Sequence, residues 1–223
     1  MLGFCFINNS LLCHAFPYFF CRVIHFWLSV ASMNKIVIIG SPAAGKSTLA
    51  RHLGRILHIN VVHLDRIFWE PGWKEIPRDT RIETLQEIVR EKQWIIEGTY
   101  LGSSNPRLDA ADTIICLDTA TLLCLRRLIK RYLNHRRIHR DIPEGCHDKL
   151  NLIRILKVLV FPFRGKRTLE KKLHYYQTKQ IFRLRSPKEV EDFLASLEPH
   201  IGEKRQFSKV PSGARKRHLA TAR

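Results

Sequence analysis

Eight consecutive residues carry the clearest chemistry in the chain. Gly40, Ser41, Pro42, Ala43, Ala44, Gly45, Lys46 and Ser47 fit the spacing G-x-x-x-x-G-K-[ST]. Two glycines so placed let the backbone wrap until successive N–H groups point inward at phosphate oxygens. A helix beginning at Lys46 adds the positive end of its dipole. Lys46 can then bridge the β- and γ-phosphates of ATP, the Ser47 hydroxyl can ligate Mg²⁺, and Thr48 can touch the α-phosphate. The chemistry implied is transfer or hydrolysis of a phosphoryl group.

Such a loop needs a strand before it and a helix after it, and both are legible. Lys35–Ile39 is a short β-branched run ending at a glycine, as a buried parallel strand should be. From Lys46 to His58 the apolar residues Leu49, Leu53, Ile56 and Leu57 recur on one helical face. Further strands are predicted at 61–64, 94–96, 113–117 and 180–184. Helices are predicted at 80–92, with Ile82, Leu85, Ile88 and Val89 inward, and from Thr119 to about His135. Ser186-Pro187-Lys188-Glu189 opens a last helix with a capping box. Five strands alternating with helices predict an α/β fold, a doubly wound five-stranded parallel sheet of the P-loop type with right-handed crossovers.

The 223 residues suit one compact domain plus tails. The formal charge is +18; residues 1–32 contribute only Arg22, and residues 202–223 hold seven Lys or Arg against one acid. The body is therefore basic in its own right, which suits phosphate-rich ligands, whether nucleotide or nucleic acid. None of the six cysteines forms a C-x-x-C pair, so no zinc or disulfide framework follows and a reducing cytoplasmic setting is expected.

The two ends differ from the middle. Residues 1–32 are apolar, lack the positive start of a signal peptide, and are interrupted by Asn8, Asn9, Pro17, Arg22 and His25. They read as an upstream extension without function or as a weak membrane anchor, with Met33 as a natural start. No membrane is expected for residues 33–223, and a monomer is the expected state. Residues 202–223 read as a disordered basic tail, either solvated or touching nucleic acid.

At Trp94-Ile95-Ile96-Glu97-Gly98-Thr99-Tyr100 a strand ends in an acid followed by glycine. With His63-Leu64-Asp65, Phe68-Trp69-x-x-Gly72-Trp73 and Glu144-Gly145-Cys146, residues 34–198 resemble the bacterial DNA topology modulation protein family, among the adenylate-kinase-like P-loop proteins. Where that family has Asp-Gly-Asn-Tyr, this chain has Glu97-Gly98-Thr99-Tyr100. The resemblance implies that Glu97 holds the Mg²⁺ water shell, with Asp118 as the rival acid or as a cap for the helix at Thr119. Likeness to small-molecule kinases gives Asp65 the part of orienting or deprotonating an acceptor hydroxyl, or of joining the metal's shell; its structural alternative is a helix cap. Arg107 either grips the acceptor or forms an exposed salt bridge.

From Thr119 to Arg140 no acid occurs while seven Lys and Arg accumulate. Arg127 and Arg131, four apart, share a helical face and resemble the paired lid arginines of nucleotide kinases, which places a basic helical lid at about 125–150. Arg126 and Lys130 point elsewhere. The same run could face DNA or RNA. Phe68, Trp69 and Trp73 either wall an acceptor pocket or pack a short cover segment. Two classes therefore stand: an ATP- and Mg²⁺-dependent phosphotransferase acting on a nucleotide or small hydroxyl-bearing acceptor, and an ATP-switched nucleic-acid-binding protein with ATPase activity only.

Overall fold

The computed structural model describes residues 33–103, 105–133 and 152–197. The expectations for 1–32, for the tail, for Glu144-Gly145-Cys146 and for the lid beyond Leu133 lie outside the described residues.

Strands β1 (Lys35–Gly40), β2 (Val61–His63), β5 (Trp94–Glu97), β6 (Thr113–Leu117) and β7 (Gln180–Leu184) form one sheet in the order β2-β5-β1-β6-β7. Every pairing in it is parallel. β1 lies at the centre, with Ile38 beside Glu97 and Gly40 beside Leu117. All five strands therefore end at one edge, where open α/β sheets bind their ligands.

The pleat sends alternate residues of β1 to opposite layers. Ile36 and Ile38 pack with Leu49 and Leu53 of α1 (Lys46–Leu57), Cys124 and Leu128 of α5 (Thr121–Leu133), Val158 of α6 (Leu152–Val160) and Phe193 of α8 (Pro187–Leu197). Val37 and Ile39 pack the other way. There they meet Leu64 and Phe68 of α2 (Leu64–Phe68), Leu85 of α3 (Arg78–Ile88), Leu108 of α4 (Asn105–Ala110) and Leu169 and Leu173 of α7 (Lys166–Tyr175). Burying both faces explains why β1 reads as a continuous apolar run. Ile36 to Ile39 are all fully enclosed, so truncating any of the three isoleucines to Ala should cost about 2–5 kcal/mol.

α1 stops where His58 turns left-handed at φ 56° and its N–H returns to the Gly54 carbonyl. A Cβ on Gly54 would stand 2.5 Å from Val61 Cγ2, so only glycine lets α1 lie this close to β2. α8 opens as expected on Ser186, whose Oγ accepts from the Glu189 N–H at 3.1 Å; Glu189 reaches back to the Arg185 N–H rather than to that of Ser186.

Some boundaries differ from expectation. The basic helix begins at Thr121 rather than Thr119, and α3 runs 78–88 rather than 80–92. A hairpin of β3 (Trp69–Glu70) and β4 (Lys74–Glu75) turns through Gly72 and Trp73, both at positive φ. Two-residue strands leave no periodicity to read.

Candidate functional site

The end of β1 and the first turn of α1 form the phosphate-type loop. Gly40 has φ 148°, and a Cβ there would sit 2.4 Å from the Leu117 carbonyl oxygen, so neighbouring β6 requires glycine. Gly45 stands left-handed at φ 103° as the N-cap of α1. Ala43 takes φ 60° without being glycine, a conformation costing roughly 1 kcal/mol or more. Lys46 lies back along the loop, its Nζ donating to the Ser41 carbonyl at 2.8 Å and the Gly40 carbonyl at 3.3 Å. Burial pushes its pKa down, while Glu97 and Asp65 pull it back up. Thr48 is exposed, with Arg51 Nη2 at 3.4 Å from its hydroxyl.

The register of β1 with β5 carries Glu97 to the mouth of this loop. The Ser47 hydroxyl donates to Glu97 Oε1 at 2.9 Å, and His63 Nδ1 faces the same oxygen at 2.9 Å. Glu97 is buried at 4% exposure, and these two contacts give its enclosed oxygen the hydrogen-bond partners a buried polar group needs. A second tie comes from Thr99, whose hydroxyl donates to the Gly40 carbonyl at 2.5 Å. Thr99 thus anchors the 97–100 loop to the phosphate-type loop.

A hydroxyl and a carboxylate oxygen side by side form a hard donor pair of the kind Mg²⁺ takes, alongside water and substrate phosphates. Ser47 and Glu97 fit that ion. Asp118, the rival acid, is instead ion-paired with Lys166 at 2.8 Å.

Asp65 sits in the first turn of α2 and is exposed; the N-cap there is His63, so the capping alternative for Asp65 is not what the structure has. Its Oδ1 accepts from the Tyr100 hydroxyl at 2.5 Å, and that hydroxyl accepts from Trp69 Nε1 at 2.6 Å. Burial, with the Asp65 charge, pushes the Tyr100 phenol well above its usual range, so it stays a donor. Phe68 is core and meets Tyr100 edge-to-face at 4.9 Å. Trp73 is edge-to-face with Trp69, and the Arg154 guanidinium stacks 4.4 Å from the Trp73 ring. The aromatic segment is thus a packed cover that also fixes Asp65.

Arg107 departs from one of its two expectations. It is fully enclosed and forms no exposed salt bridge: Nη2 donates to the Gly98 carbonyl at 2.9 Å and the Thr99 carbonyl at 2.8 Å. Its Nε and Nη1 have no hydrogen-bond partner among the described residues, and burial lowers its pKa to about 10. It remains a cation at neutral pH, inside the protein and beneath the 98–99 backbone. Arg107 is the one cation between Leu101 and Asp112, with Asp109 and Asp112 close by in sequence, so a surface ion pair is the local reading and its burial by distant segments has no local sign.

The arginine pair divides. Arg127 Nη1 donates to the Ala44 carbonyl at 2.7 Å and would be 3.4 Å from a Cβ on Gly45. Arg131, one turn on, is exposed, as are Arg126 and Lys130. Of the residues singled out in the sequence, the structure therefore gathers Gly40 to Ser47, Glu97 and Arg127, with Asp65 within electrostatic reach of Lys46. His63, Thr99 and Tyr100, which sequence reasoning had treated only as parts of a motif, join them through their hydrogen bonds.

No protein-family model matches the chain. A curated shikimate kinase from Clostridium botulinum (strain Langeland / NCTC 10281 / Type F) is 36% identical over 73 residues, which is 33% of this chain and 42% of that enzyme. The match thus spans less than half the length of the curated relative. Among solved structures, a shikimate kinase from Bacteroides thetaiotaomicron superposes with TM-score 0.44 at 18% identity, over 77% of this chain and 99% of its own. One from Acinetobacter baumannii in complex with shikimate gives 0.49 at 17% identity, over 82% and 99%. The chain is similar in sequence to one shikimate kinase over a third of its length, and its own strand order and loop are those of a P-loop fold of the nucleotide-kinase type.

Proposed function

We propose that the chain is an ATP-dependent phosphotransferase acting on a small hydroxyl-bearing molecule or a nucleotide, with Gly40 to Thr48 as its phosphate cradle. The observation that carries this reading is the meeting of Ser47 with Glu97 at 2.9 Å beside Lys46. Mg²⁺, when bound by Ser47 and through water by Glu97, would neutralise phosphate charge and fix the phosphate chain. Lys46 exchanges its carbonyl partners for the β- and γ-phosphate oxygens, and Arg127 adds a guanidinium at the loop's edge. Asp65, steered by Tyr100, accepts the proton of the acceptor hydroxyl as its oxygen bonds to the γ-phosphorus and the bond to the β–γ bridging oxygen breaks. The products are ADP and the phosphorylated acceptor.

The curated relative named for shikimate and the resemblance to the topology modulation family both support a kinase-type P-loop enzyme; neither names this chain's acceptor. The test is a panel of small hydroxy acids and nucleoside monophosphates, scored for acceptor-dependent ADP release. One acceptor raising ADP release, with its phosphorylated form found by mass spectrometry, is the expected result. Phosphate release that no acceptor accelerates would overturn the transferase reading in favour of a simple ATPase.

A further inference from the structure

The segment from α6 into α7 is not used by the proposed chemistry, and its surface is unusual. Leu152, Leu156, Leu159 and Phe163 are 78, 56, 44 and 78% exposed. Their spacings of four, three and four residues lay them along one helical stripe. Val158, on the other side of α6, is fully buried in the core, so α6 already has its packed face and the stripe is a second, outward one. Single exposed apolar residues are ordinary, but a four-membered stripe is not.

The charge beside the stripe is of one sign. Between Leu152 and Arg167 there are five Lys or Arg and no acid. Arg154 is stacked on Trp73 and Lys166 is paired with Asp118, whereas Lys157, Arg164 and Arg167 are exposed. An outward apolar stripe bordered by cations has the composition of a helix that lies in a bilayer interface, its apolar side among the acyl chains and its cations among anionic headgroups.

We infer that the Leu152–Phe163 face is a docking surface for an anionic lipid bilayer. Nucleic acid would use the cations but leave the leucines and Phe163 unrewarded. A symmetric pairing of two copies would cover the leucines but bring Lys157 and Arg164 of each copy close to the same cations of the other. Only an anionic, apolar partner answers both halves of the surface. The residues concerned lie along α6 and the turn after it, and among the described residues no helix is long and apolar enough to cross a membrane, so attachment is to the surface.

The full chain should co-sediment with phosphatidylcholine vesicles containing phosphatidylserine, bind vesicles of phosphatidylcholine alone far less, and release as salt rises. Leu156→Glu with Phe163→Glu should weaken the partition by tenfold or more, as each of the two side chains forfeits its apolar burial. The uncharged pair Leu156→Gln and Phe163→Gln should lose binding too, which separates lost apolar burial from repulsion between added Glu charges and the anionic vesicle; both pairs sit at exposed positions, and an unchanged thermal midpoint will show that the fold survives. Vesicle binding that persists in both double variants would overturn the inference, since residues 1–32 and the basic tail are intact in them. A concentration-dependent dimer in lipid-free ultracentrifugation, abolished by the same substitutions, would overturn it in favour of a second copy.

Discussion

The Ser47 hydroxyl donates to Glu97 Oε1 across 2.9 Å, so the first turn of α1 and the last residue of β5 meet at a single carboxylate oxygen. His63 Nδ1 faces that same oxygen. If this pair holds the metal shell, Glu97→Gln removes the charge while keeping the shape. We expect turnover to fall by about 10²-fold and the Mg²⁺ concentration for half-maximal activity to rise. An unchanged Mg²⁺ titration would remove Glu97 from the metal site.

Lys46→Ala should abolish ATP turnover without unfolding the protein. Its ammonium is aimed at the loop's own carbonyls, and its loss removes the cation that follows charge onto the leaving phosphates. A fall of about 10²–10³-fold is expected in steady-state ADP production. Normal turnover by this variant would refute the phosphotransferase reading at its root.

Spacing alone treats Arg127 and Arg131 as equals, but the structure separates them. Arg127 reaches the Ala44 carbonyl, whereas Arg131 is exposed. Arg127→Ala should lower kcat more than it weakens ATP binding, because the charge it meets develops in the transition state. Arg131→Ala should stay within about twofold, as exposed substitutions do. Unchanged turnover in Arg127→Ala, together with a flatter salt dependence of DNA binding, would return α5 to a nucleic-acid role.

Arg107→Ala distinguishes an acceptor grip from an internal brace. As a brace it leaves the Gly98 and Thr99 carbonyls without their donor, at about 2–4 kcal/mol of stability. Chemical denaturation will measure that loss. A variant that is fully stable but raises only the acceptor KM would assign Arg107 to the acceptor instead.

The parts of this protein that could be read from its sequence are those whose signal is local. The P-loop spacing and the runs read as strands at 35–39, 94–96, 113–117 and 180–184 are contiguous, and each run lies within an observed strand. What escaped reading depends on partners far along the chain. Lys166 pairs with Asp118 at a separation of 48 residues, and Tyr100 reaches Asp65 across 35. Arg107 looks solvated in sequence because its buried surroundings come from other segments. Tyr176 carried no motif, yet it is buried with its hydroxyl on Asp109 at 2.5 Å.

The strand order also governs how the chain reaches its native state. β1 is made first but its neighbours in the sheet begin at Trp94 and Thr113, so its apolar residues leave the ribosome well before either partner exists. Long-range parallel pairing of this kind folds slowly, because the loops must close before any strand contact rewards them. Through that interval Ile36 to Ile39 form an unpaired sticky edge, and a chain stalled before β6 would aggregate rather than wait.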